Sequence, residues 1–408
     1  MLPEHLRFSV HNGERVHLGI TGSVAAYKAV ELLRMLQELE LQVSVTLTEA
    51  AARFVTPLTF QALDASPVYH GMWDGAESAF GHLEPAQEAR CLLVAPATAN
   101  TLAKMAHGIA DDLLSTQALA FTGPVVVAPA MNPRLWDAPA TQENLATLRG
   151  RGVRVLEPCS GRMACGEKGK GRLTDLRDIV AHCLKALTVQ DMAGTQVLVS
   201  LGPTREFFDP ARYWSNPSTG IMGGALAMAA WMRGAQVSVV HGPVDIWLPP
   251  AVSYTAVNTA REMFTACTDL WPAQDVGIMT AAVSDFSPVP HGPEKFKKRS
   301  LNSGEFTVPF AVNPDILRTL GHTKTTGQKL IGFCAETRDL AGYAAFKLKE
   351  KRCDLMVANS IASPGSGFGS PTNAVTVLDA HNRLEEWPVL PKAEVAWRLL
   401  EWLVHILR

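Results

Sequence analysis

Short apolar runs alternate with longer stretches of helical period along the whole chain. VHLGI (16–20), QVSVTL (42–47), CLLVAP (91–96) and GPVVVAPA (123–130) show little period-two alternation. That is the pattern of parallel strands covered on both faces. After the first of them, TGSVAAYKAVELLRMLQELE sets Val30, Leu33 and Leu36 on one helical face,. A helix, TDLRDIVAHCLKAL, precedes a linker-like LTVQDMAG (187–194). The order then restarts with TQVLVS (195–200), a helix STGIMGGALAMAAWMRG, AQVSVV (235–240), DVGIMT (275–280), KLIGFCA (329–335) and DLMVAN (354–359). NAVTVLD (373–379) alternates and predicts an edge hairpin, and KAEVAWRLLEWLVHIL a terminal helix. Strands joined by helices imply right-handed crossovers. The pattern predicts an α/β chain of two doubly wound, Rossmann-like domains at 1–187 and 195–408, with a linker at 188–194. The halves share element order but not residue-level similarity, so they are two domains rather than a repeat.

Composition narrows the class. Of 408 residues, 47% are hydrophobic, which excludes a disordered chain,. Lys+Arg 37 against Asp+Glu 39 leaves a net charge of -2, which excludes nucleic-acid binding through bulk positive charge,. The most apolar stretch, Leu119 to Met131, is broken by Thr122, Gly123 and Pro129, so no membrane span is expected. The N-terminus has no apolar signal core. Seven cysteines form no CxxC pair and no cluster with zinc spacing,. The expectation is a cytoplasmic enzyme with reduced thiols, no nucleic-acid partner and no membrane partner.

Ligands of open α/β sheets sit beyond the carboxyl ends of the strands, so the loops there carry the candidate chemistry. Gly22, in Thr21-Gly22-Ser23, permits close backbone approach, and Ser23 can cap a helix whose first N–H groups face an anion,. A plain capped turn reads the same way. His82 is one of 12 histidines, and a lone histidine is as readily structural. Asn132 fits a turn, and Cys165 an inert thiol. Yet GITGSVAAYKA, TEAARFVTPLTFQAL, GHLEPA, APATANTLAKMAHGIADDLLST, APAMNPRLW and GRMACGEKGKGRL occur in one order. Over roughly 15–187 the chain resembles the flavin-dependent cysteine decarboxylases. It is most similar to the decarboxylase half of the bifunctional phosphopantothenoylcysteine decarboxylase / phosphopantothenate–cysteine ligase family of coenzyme A synthesis.

The resemblance implies a flavodoxin-like first domain using FMN. In the family the flavin oxidises the substrate thiol to a thioaldehyde, CO₂ leaves with the thiocarbonyl as electron sink, and the enethiol is reduced back. It implies that His82 moves a proton at the thiol. It further implies that Asn132 holds the substrate carboxylate. Cys165, on a flap with Arg162, Lys168 and Lys170 around it, gives a proton during reduction. His107 is supporting. Gly22, Ser23, Thr48, Ala97, Thr98 and Asn100 are the flavin-contact candidates, with FMN at the contact between subunits of a trimer.

The second half contains no GxxxxGK[ST], which disfavours a P-loop enzyme. GPTREFFDPARYWSNPSTGIMGGALA (202–227), AAVSDFSP (281–288), EKFKK (294–298), NPDIL (313–317), GFCAET (332–337) and KLKEKRCDLMVANS (347–360) resemble, in order, the ligase half of the same family. The resemblance implies that CTP activates 4'-phosphopantothenate as an acyl-cytidylate with release of pyrophosphate. The amine of L-cysteine then displaces CMP, with Mg²⁺ on the triphosphate. It implies Asn216 at the acyl group and Arg212 at a phosphate or carbonyl; an ion pair with Asp209 is the alternative for Arg212. Asp285 meets cytidine, and Lys295, with Lys297 and Lys298, the activated acyl phosphate; a lysine cluster is by default a solvated face. Pro314, Asp315, Ile316 and Leu317 cap a helix toward the nucleotide. Phe333 covers the base or is a strand-end core aromatic. Lys347 and Lys351, four apart on one helix face, meet the triphosphate. No metal ligand is assigned. Ile221 stands where the family carries a lysine. Trimeric decarboxylase contacts and dimeric ligase contacts imply a homo-oligomer, a dodecamer. A catalytically silent flavoprotein subunit would need none of His82, Asn132 and Cys165. A dinucleotide-dependent dehydrogenase lacks its GxGxxG here.

Overall fold

The structure is a computed structural model that describes residues 2–72, 80–163, 166–297, 306–362 and 364–407. The chain forms two compact units, Met1–Leu2 with Phe8–Val189, and Pro3–Arg7 with Gln190–Arg408.

The first unit runs β1 (Arg15–Ile20), α1 (Lys28–Gln37), β2 (Gln42–Leu47), α2 (Glu49–Ala52), α3 (Pro57–Gln61), β3 (Val68–Tyr69), α4 (Glu84–Glu88), β4 (Cys91–Ala97), α5 (Ala99–His107), α6 (Leu113–Ala120) and β5 (Val125–Pro129). It continues through α7 (Pro133–Trp136), α8 (Pro139–Gly150), β6 (Arg154–Val155), β7 (Cys159–Arg162), β8 (Lys168–Arg172) and α9 (Leu176–Leu187). The parallel sheet has the order β3-β2-β1-β4-β5-β6. Without the two-residue β3 this is the flavodoxin order, and with it the Rossmann order. Every residue of β4 is buried, which is why the strand lacks alternation. In α1 the buried residues are Ala29, Leu32, Leu33, Met35 and Leu36, and Val30 lies at their edge, partly exposed. A 3-10 turn, Val24–Tyr27, precedes α1. The Gly- and Lys-rich segment around 161–173 is not a loop but the antiparallel hairpin β7–β8, pairing Arg162 with Lys168.

The second unit runs β9 (Gln196–Leu201), β10 (Arg205–Asp209), β11 (Arg212–Ser215), α10 (Ile221–Met232), β12 (Gln236–His241), β13 (Ser253–Ala256), α11 (Ala260–Leu270), β14 (Val276–Met279), β15 (Phe286–Pro288) and β16 (Phe310–Val312). α12 (Ile316–Thr323), β17 (Lys329–Glu336), α13 (Leu340–Glu350), β18 (Leu355–Ser360), β19 (Thr372–Asp379), β20 (Leu384–Pro391) and α14 (Lys392–Leu407) complete it. The sheet order is β13-β12-β9-β14-β17-β18-β19-β20. Pairing is parallel as far as β18 and antiparallel through β19 and β20. The predicted edge hairpin is present: 373–379 lies in β19, which turns back into β20, the outermost strand of the sheet. α10 is buried from Gly223 to Met232; its Gly, Ala and Met residues make it apolar all round, as a helix enclosed on every side must be. Among the described residues no helix is long and apolar enough to cross a membrane.

Candidate functional sites

In the first sheet the strand order reverses between β1 and β4, the position where open sheets collect ligands. Buried Thr21 ties the two loops there together. Its hydroxyl donates to the Pro96 carbonyl (2.7 Å) and accepts from the Thr98 N–H (2.9 Å). A Cβ on Gly22 would sit 2.4 Å from the Ala50 Cβ, so only glycine lets this loop approach the start of α2. Ser23 Oγ accepts from Ala25 N–H, Thr48 Oγ1 from Ala51 N–H and Thr98 Oγ1 from Thr101 N–H. Three capped helical starts thus share one end of the sheet, with Asn100 in the first turn of α5. Their N–H groups suit an anionic group such as a phosphate. Ala97 is fully buried, and its carbonyl accepts from the Ala130 N–H (3.0 Å).

His82 lies in the turn before α4, partly buried, and among the described residues its imidazole makes no hydrogen bond. The turn is anchored from beneath. Gln117 of α6, fully buried, donates from Nε2 to the Gly81 carbonyl (2.8 Å). Its Oε1 accepts from Thr46 Oγ1 (2.8 Å). His17 Nε2 lies 2.9 Å from Thr46 Oγ1 and 3.2 Å from Gln117 Oε1, and its Nδ1 2.8 Å from Ser44 Oγ. Burial, only partly opposed by the Gln117 contact, lowers the pKa of His17 to about 4, so the ring is neutral. The sequence reading overlooked this network. Its one signal is that His17, Ser44 and Thr46 are polar positions in otherwise apolar strands, with His17 paired to Ser44 in the β1–β2 register.

Asn132 performs the turn role its residue type suggested and a further one. Its Oδ1 accepts from Arg134 N–H (2.9 Å), capping α7, and its Nδ2 donates to Glu167 Oε2 (2.7 Å). Glu167 also pairs with Arg134 (2.6 Å). The β7–β8 hairpin is held against the same loop, since Met131 N–H donates to the Gly171 carbonyl (2.9 Å). Cys165 lies outside the described residues. Of its predicted cationic surround, Lys170 is engaged by Glu157 and by the Trp136 ring.

In the second unit a cavity of about 510 Å³ opens at the carboxyl ends of β9, β14, β17 and β18. Asn216, Asp285, Pro314, Asp315, Ile316, Leu317, Phe333, Lys347 and Lys351 all line it, as does Ile221 at the start of α10. Asn216 Nδ2 donates to the Ala282 and Val283 carbonyls at 3.1 and 3.3 Å. Asp315 caps α12 by accepting from Arg318 N–H (2.9 Å) and also pairs with Lys351. Lys351 sits just past the end of α13 rather than within it. Lys347 pairs with Glu336 at 2.8 Å. Burial, the largest single influence, would depress its pKa, but that hydrogen bond together with the charges of Glu336 and Asp285 outweighs it, and the pKa is raised.

Arg212 and Lys295 are not among the residues that line the cavity. Arg212 forms the alternative ion pair, with the buried Asp209 carboxylate at 2.7 Å, and donates to the Phe296 carbonyl at 3.1 Å. Lys295 is exposed in the segment beyond β15, and Lys298 lies outside the described residues. Asn373 and Lys392 line the cavity without any sequence signal. Among the described residues no group of three or more His, Cys, Asp or Glu side chains is placed to hold a metal ion.

Two doubly wound units, each with capped loops or a cavity at its strand ends, define a pair of nucleotide-type binding domains on one chain. Residues 9–188 match the flavoprotein family, and residues 192–407 match the DNA/pantothenate metabolism flavoprotein C-terminal domain. The chain is 40% identical to the coenzyme A biosynthesis bifunctional protein CoaBC of Vibrio vulnificus (strain CMCP6), across 95% of this chain and 97% of that relative. It is 42% identical to the protein of the same name from Bacillus subtilis (strain 168), across 96% of each. For that from Escherichia coli (strain K12) the identity is 42%, across 89% of this chain and 90% of the relative. The chain belongs to the family of coenzyme A biosynthesis bifunctional proteins.

Proposed function

We propose that the second unit ligates L-cysteine to 4'-phosphopantothenate and that the first decarboxylates the product to 4'-phosphopantetheine. The observation that carries the reading is convergence. Residues scattered in sequence from Asn216 to Lys351 line one cavity at the switch point of the second sheet,. There Asn216 and Asp285 offer amide and carboxylate contacts, Phe333 an aromatic face and the lysines positive charge. CTP is the activating nucleotide, with Mg²⁺ on its triphosphate. The family resemblance assigns Arg212 and Lys295 to the acyl phosphate; neither lines the cavity, and Arg212 would have to leave Asp209 to serve there.

In the first unit Gly22, Ser23, Thr48, Thr98 and Asn100 would hold FMN by its phosphate and polar edge, and the first-turn N–H groups not taken by the caps suit such an anion. When bound, FMN supplies a reversible two-electron acceptor for the substrate thiol. His82, whose ring has no hydrogen bond among the described residues, takes the thiol proton. Asn132 exchanges Glu167 for the substrate carboxylate, and Cys165 returns a proton to the enethiol. The chain assembles as a homo-oligomer, with trimeric contacts in the first unit and dimeric ones in the second.

The test is incubation of the purified chain with phosphopantothenate, L-cysteine, CTP and Mg²⁺, with products read by mass. Pyrophosphate, CMP, CO₂ and phosphopantetheine are expected in equal amounts. Absence of CTP-dependent pyrophosphate removes the ligase assignment, and absence of CO₂ removes the decarboxylase assignment.

A further inference from the structure

Three lysines line the cavity of the second unit: Lys347, Lys351 and Lys392. Two carry a counter-ion, Glu336 for Lys347 and Asp315 for Lys351. Lys392, at the first position of α14, does not. It is only 5% exposed, its amine reaches the Gly367 carbonyl at 3.4 Å, and among the described residues it forms no ion pair. Burial lowers its pKa and Glu4 acts against this only through space. A buried ammonium without a partner is costly, and a ligand that brings an anion removes that cost.

Beside it is a second group with its bonding capacity unspent. Asn373 is 3% exposed and lines the same cavity. Its Oδ1 has no hydrogen-bond partner, and its Nδ2 meets only the Met222 sulfur at 3.7 Å. A buried carboxamide left this way normally has a partner. One cation and one neutral carboxamide match a small zwitterion better than a triphosphate, whose several charges need several free cations. Ile221, Met222 and Phe368 add an apolar wall to the same cavity, suited to a short thiol-bearing side chain.

We propose that Lys392 and Asn373 form the subsite for the amino-acid substrate, Lys392 binding its α-carboxylate and Asn373 its α-amino group. This deepens the ligase reading and rests on it. In the step served, the bound ammonium first gives up one proton to solvent to free the attacking lone pair. The amine nitrogen then attacks the activated acyl carbon and the C–N bond forms. After attack the acyl carbon–oxygen bond breaks, CMP leaves with the electron pair, and the nitrogen loses a second proton to solvent.

The experiment separates the half-reactions in the full chain. Exchange of labelled pyrophosphate into CTP, dependent on phosphopantothenate and run without cysteine, reports the first. Ligation of cysteine against cysteamine, which lacks the carboxylate, reports the second. Wild type is expected to prefer cysteine by roughly 10- to 100-fold in kcat/KM, the weight of a charge-assisted contact. Lys392→Met should lose that factor on cysteine, leave cysteamine unchanged and leave exchange unchanged, which also shows the variant folded. Equal use of the two amines by wild type overturns the proposal without any variant. So does an equal loss on both amines, or a loss of exchange matching the loss of ligation, which would assign Lys392 to the phosphate chain. Failure of wild type to exchange pyrophosphate at all would instead remove the ligase reading beneath it.

Discussion

Replacing Gln117 by Leu tests whether the buried network holds the turn that carries His82. The substitution roughly conserves volume and removes the donor to the Gly81 carbonyl and the acceptor for Thr46. The far end of the network can repair itself. His17 Nε2 remains 2.9 Å from Thr46 Oγ1, so a tautomer shift leaves the Thr46 hydroxyl and the ring paired. The Gly81 carbonyl has no such recourse. An unpaired buried carbonyl costs about 1–3 kcal/mol, and the lost Thr46 bond about 1 kcal/mol more. Leucine's apolar burial offsets part of this, leaving a net loss of about 2 kcal/mol. For a unit of this size that is a fall of roughly 4–8 °C in Tm. With the turn loosened, decarboxylation should fall by about 100-fold, the scale of an ångström-level misplacement, while CTP-dependent ligation is unchanged. Gln117→Glu adds a signature. Burial raises its carboxyl pKa above the unfolded value of about 4.3, and only the protonated acid can donate to Gly81. Its stability deficit against wild type at the same pH should therefore be smallest at low pH and grow as pH rises through the folded pKa. Thermal unfolding followed by near-ultraviolet circular dichroism, with CO₂ release measured in parallel, reads both. A Gln117→Leu protein with wild-type Tm and wild-type CO₂ release would refute the reasoning.

Burial lowers the pKa of both His11 and His17 to about 4, with Arg90 adding to the effect at His11. Because the unfolded histidines bind protons first, stability is fully present above about pH 6.5 and declines toward pH 4, by about 2 kcal/mol per histidine at pH 5. Urea midpoints of the first unit at pH 7.5 and 5 measure this, and equal midpoints would contradict it. A Cβ on Gly171, whose φ is +149°, would lie 2.2 Å from the Met131 carbonyl oxygen. Gly171→Ala should therefore cost about 1–3 kcal/mol and slow decarboxylation with ligation intact; an unaltered CO₂ rate would show that the hairpin's seat is not needed. Lys295→Gln should slow acyl-cytidylate formation about tenfold or more at normal flavin content, and unchanged pyrophosphate exchange would move that role to Lys297 or Lys298.

What was legible in the sequence is what burial on both faces imposes. Cys91–Ala97 reads almost to the residue because a strand covered on two sides is a continuous apolar run,. The terminal helix Lys392–Leu407 reads as well, for its apolar residues keep one period. Small hairpins were not legible. Arg205–Asp209 with Arg212–Ser215 mixes charge and aromatics and buries Glu206 and Asp209 rather than an apolar face, so neither period shows. In the candidate sites, motif order named the residues that line the second cavity, but spacing carries no record of pairing. It could not show that Glu336 and Asp315 neutralise Lys347 and Lys351, or that Arg212 turns to Asp209. Gln117 and Lys392 escaped for the same reason: a polar residue in a helix reads as surface until its burial is known.

The account turns on two reactions run by two units and linked by one intermediate. The direct measurement is the mass of the products made by His82→Asn from phosphopantothenate, L-cysteine, CTP and Mg²⁺. The account predicts phosphopantothenoylcysteine accumulating in step with pyrophosphate, with no phosphopantetheine and no CO₂. Phosphopantetheine formed at the wild-type rate, or a folded variant that makes neither product, would contradict it.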